Sequence, residues 1–119
     1  MTYIPYLSSA GELKTKPTQH SVKELLNAGI QPDIIMCRSE RIIDKDSISK
    51  ISLFCNVKKD SVIPALNASS IYEVPSLYSK FGLDKILLKH LNYKPNKHPL
   101  NLKSWNNLLK KIKLQKYNV

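Results

Sequence analysis

Ser9-Ala10-Gly11-Glu12-Leu13-Lys14-Thr15-Lys16-Pro17-Thr18-Gln19-His20-Ser21-Val22-Lys23-Glu24-Leu25-Leu26 decides how the rest of the chain is read. Its second half has helical periodicity. Val22, Leu25, Leu26 and, just beyond, Ile30 fall on one face, with Lys23 and Glu24 on the other. Pro17 suits a first helical turn, and Thr18 offers a capping hydroxyl. Gly29 ends the pattern and Pro32 follows. The spacing predicts a helix from about Pro17 to Ala28. The residues before it bring Lys14, Thr15, Lys16 and Thr18 to its start. Unpaired backbone N–H groups and the positive end of the helix dipole meet there. Two lysines at such a terminus make a ready anion site, and phosphate is the usual anion. The plainer alternative is a Lys/Thr-rich loop that leads into a helix and binds nothing.

Upstream, Tyr3 to Leu7 is short and apolar, and Pro5 confines it to an edge or a strand end. Ser8-Ser9-Ala10-Gly11 reads as a loop. Downstream, Asp33-Ile34-Ile35-Met36-Cys37 is a near-continuous apolar run, the pattern of a strand buried on both faces of a parallel sheet. Arg38, Ser39 and Arg41 are expected just past its C-terminal end, the edge where open α/β sheets bind ligands. An arginine there suits bidentate phosphate contact; a surface arginine capping a neighbouring carbonyl is the alternative. Asp44 to Cys55 reads as a second amphipathic helix through Ile48, Ile51, Leu53, Phe54 and Cys55, with Lys50 among its polar residues. Ser61-Val62-Ile63 is a short strand. Strand, helix, strand, helix, strand argues a layered βαβ-type unit.

From Ser70 the character is helical. Ile71, Val74, Leu77 and Tyr78 share a face, Gly82 breaks it, and Leu83, Ile86, Leu87 and Leu91 form another. Asn92 to Pro99 is a polar linker. Leu102 to Leu114 is again amphipathic through Trp105, Leu108, Leu109 and Ile112, with fraying expected at Tyr117-Asn118-Val119. The fold class is therefore α/β: a partial parallel sheet with flanking helices over residues 1–91, then a linker and basic helix over 92–119.

The bulk numbers bound the function. With 119 residues the chain suits one domain or part of one. No apolar run approaches the ~20 residues of a membrane span. The start, Met1-Thr2-Tyr3-Ile4-Pro5, has neither a basic n-region nor a long apolar h-region, so no signal peptide is expected. Two cysteines make no disulfide framework, and Cys37 and Cys55 are expected as buried core thiols. A cytoplasmic compartment fits these features. The net charge is +10, which raises nucleic acid as a partner. Lysine far outnumbers arginine, and Ile, Asn, Ser and Tyr are plentiful, so compositional drift of an AT-rich genome is the favoured cause. No acid follows Asp84 in the chain, while lysines continue to Lys116. His20 could orient a ligand or simply cap, and His90 and His98 have no metal-ligand spacing with any Cys or acid. The three glycines, Gly11, Gly29 and Gly82, make no phosphate loop, and no pair of acids is placed for magnesium.

The long central stretch, followed by Gly29-Ile30-Gln31-Pro32-Asp33 and Cys37-Arg38-Ser39, resembles CTP synthase. It is similar to the later part of that family's synthetase (amidoligase) domain. The likeness is convincing from about Pro5 to Tyr78, weaker to about Trp105, and unsupported in the tail. It implies an incomplete P-loop NTPase-like domain. In that family ATP phosphorylates the 4-oxygen of UTP, and glutamine-derived ammonia then displaces phosphate to give CTP. The resemblance assigns Lys14, Thr15, Lys16, Pro17, Thr18, Gln19 and Lys50 to the UTP/CTP pocket, a wall supplied by a neighbouring subunit of a homotetramer. It assigns Arg38 and the stretch Leu66-Asn67-Ala68 to ATP. The magnesium ligands and phosphate loop belong to a preceding portion and the glutaminase to a following one, so no catalytic residue and no metal ligand is expected here.

Some positions depart from the family pattern. The usual Lys-Asp pair is missing around Leu66-Asn67-Ala68, and Ser69 stands where an acid is usual. Near Trp105 acidic positions have become Lys, Ser and Asn. Met1 falls in the middle of the family's sheet, so the expectation is a fragment, a split-gene product or a decaying copy, inactive alone. The alternatives are a basic nucleic-acid-binding module and a non-functional gene remnant.

Overall fold

A computed structural model describes residues 1–94 and 101–114. The expected linker over 95–99, Lys97, His98, Lys116 and the end at Tyr117-Asn118-Val119 lie outside the described residues. The chain forms two compact units, one over Met1–Asn67 and one from Ala68 onward.

The first unit is a small parallel sheet flanked by helices. Its strands are β1 (Thr2–Tyr3), β4 (Ile35–Ser39) and β5 (Val62–Leu66), in the spatial order β1-β4-β5. All pairings are parallel: Thr2 lies against Cys37, and Ile35 to Ser39 run beside Val62 to Leu66. Helix α1 (Lys16–Asn27) crosses from β1 to β4, and α2 (Lys45–Phe54) crosses from β4 to β5. Between β1 and α1 the chain inserts a hairpin, β2 (Tyr6–Leu7) against β3 (Glu12–Leu13). The turn over Ser8 to Gly11 is the expected loop, and Gly11 takes φ +65 there. Two-residue strands are too short to show alternation, so the sequence pattern gave the turn without the hairpin.

Burial explains both helices. In α1 the buried positions are Thr18 and Val22, one turn apart. Leu25, Leu26 and Ile30, expected on the core face, are exposed. The cause is length. β1 is two residues long, ~7 Å, whereas α1 has twelve, ~18 Å. Beneath the second half of α1 lies a shallow cavity lined by Met1, Thr2, Val22, Leu25, Pro32 and Ile34. Gly29, at φ +81, ends the helix in the left-handed conformation, and its N–H donates to the Leu26 carbonyl at 2.8 Å. Helix α2 buries Ser47, Ile51 and, at its C-cap, Cys55, while Leu53 and Phe54 face outward. Asp44 caps α2: its carboxylate accepts from the Ser47 N–H at 2.8 Å and from the Ser47 hydroxyl at 2.7 Å.

Ile4, Val22, Ile35, Cys37, Ile43, Ile51, Cys55 and Val62 form the core. Both cysteines are fully buried, as expected. Burial pushes the Cys37 thiol up to about 11 and raises that of Cys55.

The second unit is helical, with α3 (Val74–Lys80), α4 (Leu83–His90) and α5 (Lys103–Leu114). The Trp105 indole N–H donates to the Tyr72 carbonyl at 2.9 Å, and Ser76 donates to Asn106 at 2.7 Å. Lys113 pairs with Glu73. Ser69 donates its N–H and hydroxyl to Glu73 at 3.0 and 2.9 Å. The Lys113 and Ser69 hydrogen bonds hold the Glu73 carboxyl down at about 2. Among the described residues no helix is long and apolar enough to cross a membrane.

Candidate functional site

The hairpin leads straight into α1 and fixes the first of the candidate lysines. Tyr6 pairs with Leu13 and Leu7 with Glu12. The Lys14 N–H then donates to the Pro5 carbonyl at 2.9 Å. Alternation along the strand puts Glu12 and Lys14 on one face, and their side chains form an ion pair. The hydrogen bond and charge of Lys14 hold the Glu12 carboxyl below its ordinary value, and Lys50 on α2 adds to the lowering. Two lysines from different elements therefore act on one carboxylate. A third lysine is close by. The Lys16 ammonium stands 5.6 Å from the centroid of the Phe54 ring, one helical turn beyond Lys50 on α2.

The start of α1 departs from expectation in its capping. Thr15 is the N-cap residue and makes no side-chain capping bond. Its hydroxyl instead accepts from the Gln19 side-chain amide at 3.0 Å. Thr18 is no cap. It lies inside the helix, fully buried, with its hydroxyl 3.1 Å from both the Tyr3 carbonyl and the Thr2 hydroxyl. A threonine one turn into the helix faces the sheet, so its oxygen finds the strand backbone before it can turn back to the helix end. Pro17 occupies the first turn, as expected, and is exposed. In the first turn the N–H groups of Lys16 and Thr18 have no carbonyl partner within the helix, which leaves the terminus electropositive. His20 is exposed on α1.

At the C-terminal end of β4, Arg38 and Ser39 are the last two residues of the strand rather than the first beyond it. Pairing with β5 continues to Leu66, and this extends the strand. The Arg38 guanidinium donates to the Ala65 carbonyl at 3.0 Å. Leu66 pairs with Ser39, Asn67 closes the first unit, and Ala68 begins the second. Among the described residues no group of three or more His, Cys, Asp or Glu side chains could hold a metal ion.

Three contacts were not read from sequence: Glu12 with Lys14, Lys16 with Phe54, and Arg41 with Tyr6. Glu12 and Lys14 sit two apart in a strand, and Lys50 and Phe54 four apart in a helix; both spacings were visible. The third, Arg41 stacked on Tyr6, joins segments that no local pattern connects.

The first unit is thus an α/β unit of βαβαβ order whose lysines gather where the first crossover helix begins. The family model described as CTP synthase N-terminus matches residues 1–93. The chain belongs to the CTP synthase family. It is 51% identical to the CTP synthase of Flavobacterium johnsoniae over 119 residues, all of this chain and 22% of that protein. It is also 51% identical to that of Rhodospirillum rubrum over 113 residues, 95% of this chain and 21% of that protein. A third, from Clostridium kluyveri, is 51% identical over 119 residues, again 100% of this chain and 22% of the relative. The chain spans about a fifth of the length of the curated relatives it matches.

Proposed function

We propose that this chain is the portion of a CTP synthase that builds one wall of the UTP/CTP pocket. The reaction it serves is the ATP-driven amination of UTP with glutamine-derived ammonia. The observation that carries the reading is the Lys14–Glu12 ion pair just before α1, with Lys16 beside Phe54 of α2 and the charge of Lys50 within reach of the same carboxylate. A triphosphate needs several cations from more than one element to fix its charge and orientation. Lys14, Lys16 and Lys50 supply that charge. Thr15 and Gln19, bonded to each other, shape the approach. Pro17 fixes the first turn. Thr18, with its hydroxyl engaged by the strand, contributes its backbone N–H.

On the ATP side the residues are Arg38, Leu66 and Asn67, with Ala68 next in the chain. The wall belongs to a pocket completed by a neighbouring subunit of a homotetramer, in the cytoplasm. The sheet is part of a P-loop NTPase-like amidoligase domain. The phosphate loop, the magnesium carboxylates and the glutaminase come from other portions of the enzyme, so these 119 residues alone form no CTP.

The test is an NMR titration of the chain with UTP, CTP and ATP. UTP and CTP are expected to shift the N–H signals of Lys14, Lys16 and Thr18 more than ATP does, and Lys14→Ala to weaken that response. An equal response to all three nucleotides and to orthophosphate reduces the site to a general anion binder. No response from the chain, together with unchanged UTP and CTP binding by Lys14→Ala in a complete CTP synthase carrying this segment, removes the reading. CTP formation by the purified chain would refute the statement that it is inactive alone.

A further inference from the structure

Glu12 is an acid in a site proposed for an anion. It stands at the start of β3, paired with Lys14 and within electrostatic reach of Lys50. These two ammonium groups are the charged groups that act on it; Lys16 is placed over Phe54. The hairpin holds it there. Leu7 pairs with Glu12, the Ala10 N–H donates to the Leu7 carbonyl at 3.1 Å, and Lys14 is bonded back to Pro5. A nucleotide phosphate that reaches Lys14 must therefore take the place of a carboxylate already tethered beside it.

We propose that Glu12 is a built-in counter-ion of the empty pocket, which pairs with Lys14 until a nucleotide phosphate displaces it. This rests on the pocket reading above. Without Glu12, the Lys14 ammonium would have no counter-charge when the pocket is empty, with the Lys50 charge in the same neighbourhood. With it, an incoming anion competes against a tethered carboxylate at an effective concentration on the order of millimolar or more. Weak, singly charged anions are displaced from the lysines. A triphosphate, with several contacts to share among Lys14, Lys16 and Lys50, still wins. Glu12 thereby sets the threshold of affinity that a ligand must exceed.

The experiment compares the chain with its Glu12→Gln and Glu12→Ala variants. Glu12 is exposed, so both should keep the fold, which circular dichroism checks. UTP binding is followed by NMR at low and high salt, and the Glu12 carboxyl carbon is titrated with pH, with and without UTP. The variants are expected to bind UTP about two- to fivefold more tightly at low salt, the scale of an exposed ion pair, with the gain fading at high salt. In the unaltered chain, UTP is expected to return the Glu12 titration towards that of an ordinary carboxyl. Unchanged or weaker UTP binding in both variants, while Lys14→Ala still loses UTP, overturns the counter-ion role and leaves the pocket reading standing. If Lys14→Ala also leaves UTP binding unchanged, the pocket reading itself fails.

Discussion

The guanidinium carbon of Arg41 lies 3.5 Å from the centroid of the Tyr6 ring. Tyr6 is in the hairpin and pairs with Leu13, next to Lys14. Arg41 is in the loop after β4, and its N–H donates to the hydroxyl of buried Ser39 at 3.3 Å. A continuous set of contacts thus runs from the sheet, through Ser39, Arg41 and Tyr6, to the hairpin that carries Glu12 and Lys14.

If that stack positions the hairpin, Arg41→Ala should loosen it without unfolding the unit. The expected cost is about 0.5–1 kcal/mol, the scale of an exposed cation–π pair. The clearest readout is hydrogen exchange at Lys14, whose N–H is bonded to Pro5. It should exchange faster in Arg41→Ala and in Tyr6→Leu, and no faster still in the double variant. Unchanged protection at Lys14 would show that the hairpin holds itself.

Thr18 joins α1 to β1 through a buried hydroxyl. Thr18→Val keeps the volume and removes the donor, which leaves the Tyr3 carbonyl without that bond. The expected loss is about 1–3 kcal/mol in urea unfolding, the cost of an unsatisfied buried polar group. Thr18→Ser should keep most of the hydrogen-bond contribution. Equal losses in Val and Ser would place the effect in the methyl packing instead.

The strand–helix alternation and both crossover helices were legible in the sequence because they depend on periodicity. Ile34, Ile35 and Met36 read as a buried strand, and Gly29 as a helix end. What periodicity could not show was where a helix outruns its strand. Leu25 and Leu26 look like core residues until β1 is found to be two residues long. The same limit hid the role of Thr18, since an N-terminal threonine reads as a cap on local grounds and as a strand partner only in three dimensions. At the candidate site, Lys14 and Lys16 were legible from their place at a helix start, and Lys50 was named only from resemblance. Glu12 drew no reading, because its pairing with Lys14 depends on the two-residue strand β3, which is too short to show in a pattern.

Asp44 gives a pH-dependent test of the start of α2. The Ser47 N–H, and then the Ser47 hydroxyl, lower its carboxyl from the ordinary value of 3.8. A carboxyl lowered by folding stabilises the fold fully above its unfolded value, and the contribution is lost as pH falls through the lowered folded value. Asp44→Ala should therefore cost about 1 kcal/mol near neutral pH, as a lost N-cap. The difference between the two proteins should shrink as the pH drops below about 4. A gap that persists undiminished in acid would mean that the charge of Asp44 is not what caps the helix.

Cys37 and Cys55 should be inert in the folded chain. Both are fully buried, and burial raises both thiols, which removes the reactive thiolate at neutral pH. A thiol reagent should label neither without denaturant and both in it. Their labelling should track global unfolding, because the two lie in one core. Rapid labelling of either in native buffer would contradict the packing around β4 and α2.

Lys14 and Arg38 offer the most direct separation of nucleotide roles. Lys14 stands with Glu12 near the start of α1, with the charge of Lys50 in reach, while Arg38 is the penultimate residue of β4 and bonds to Ala65. In a complete CTP synthase carrying this segment, Lys14→Ala is expected to weaken UTP and CTP by about 1.5–3 kcal/mol, the range for a hydrogen bond to a charged group. ATP should be affected less. Arg38→Ala should show the reverse order, with ATP the more affected. Its loss also frees the Ala65 carbonyl, so Arg38→Lys is the control that keeps the charge without the planar fork. If Lys14→Ala weakens all three nucleotides equally, the lysine supports the fold around the hairpin rather than the pyrimidine nucleotide.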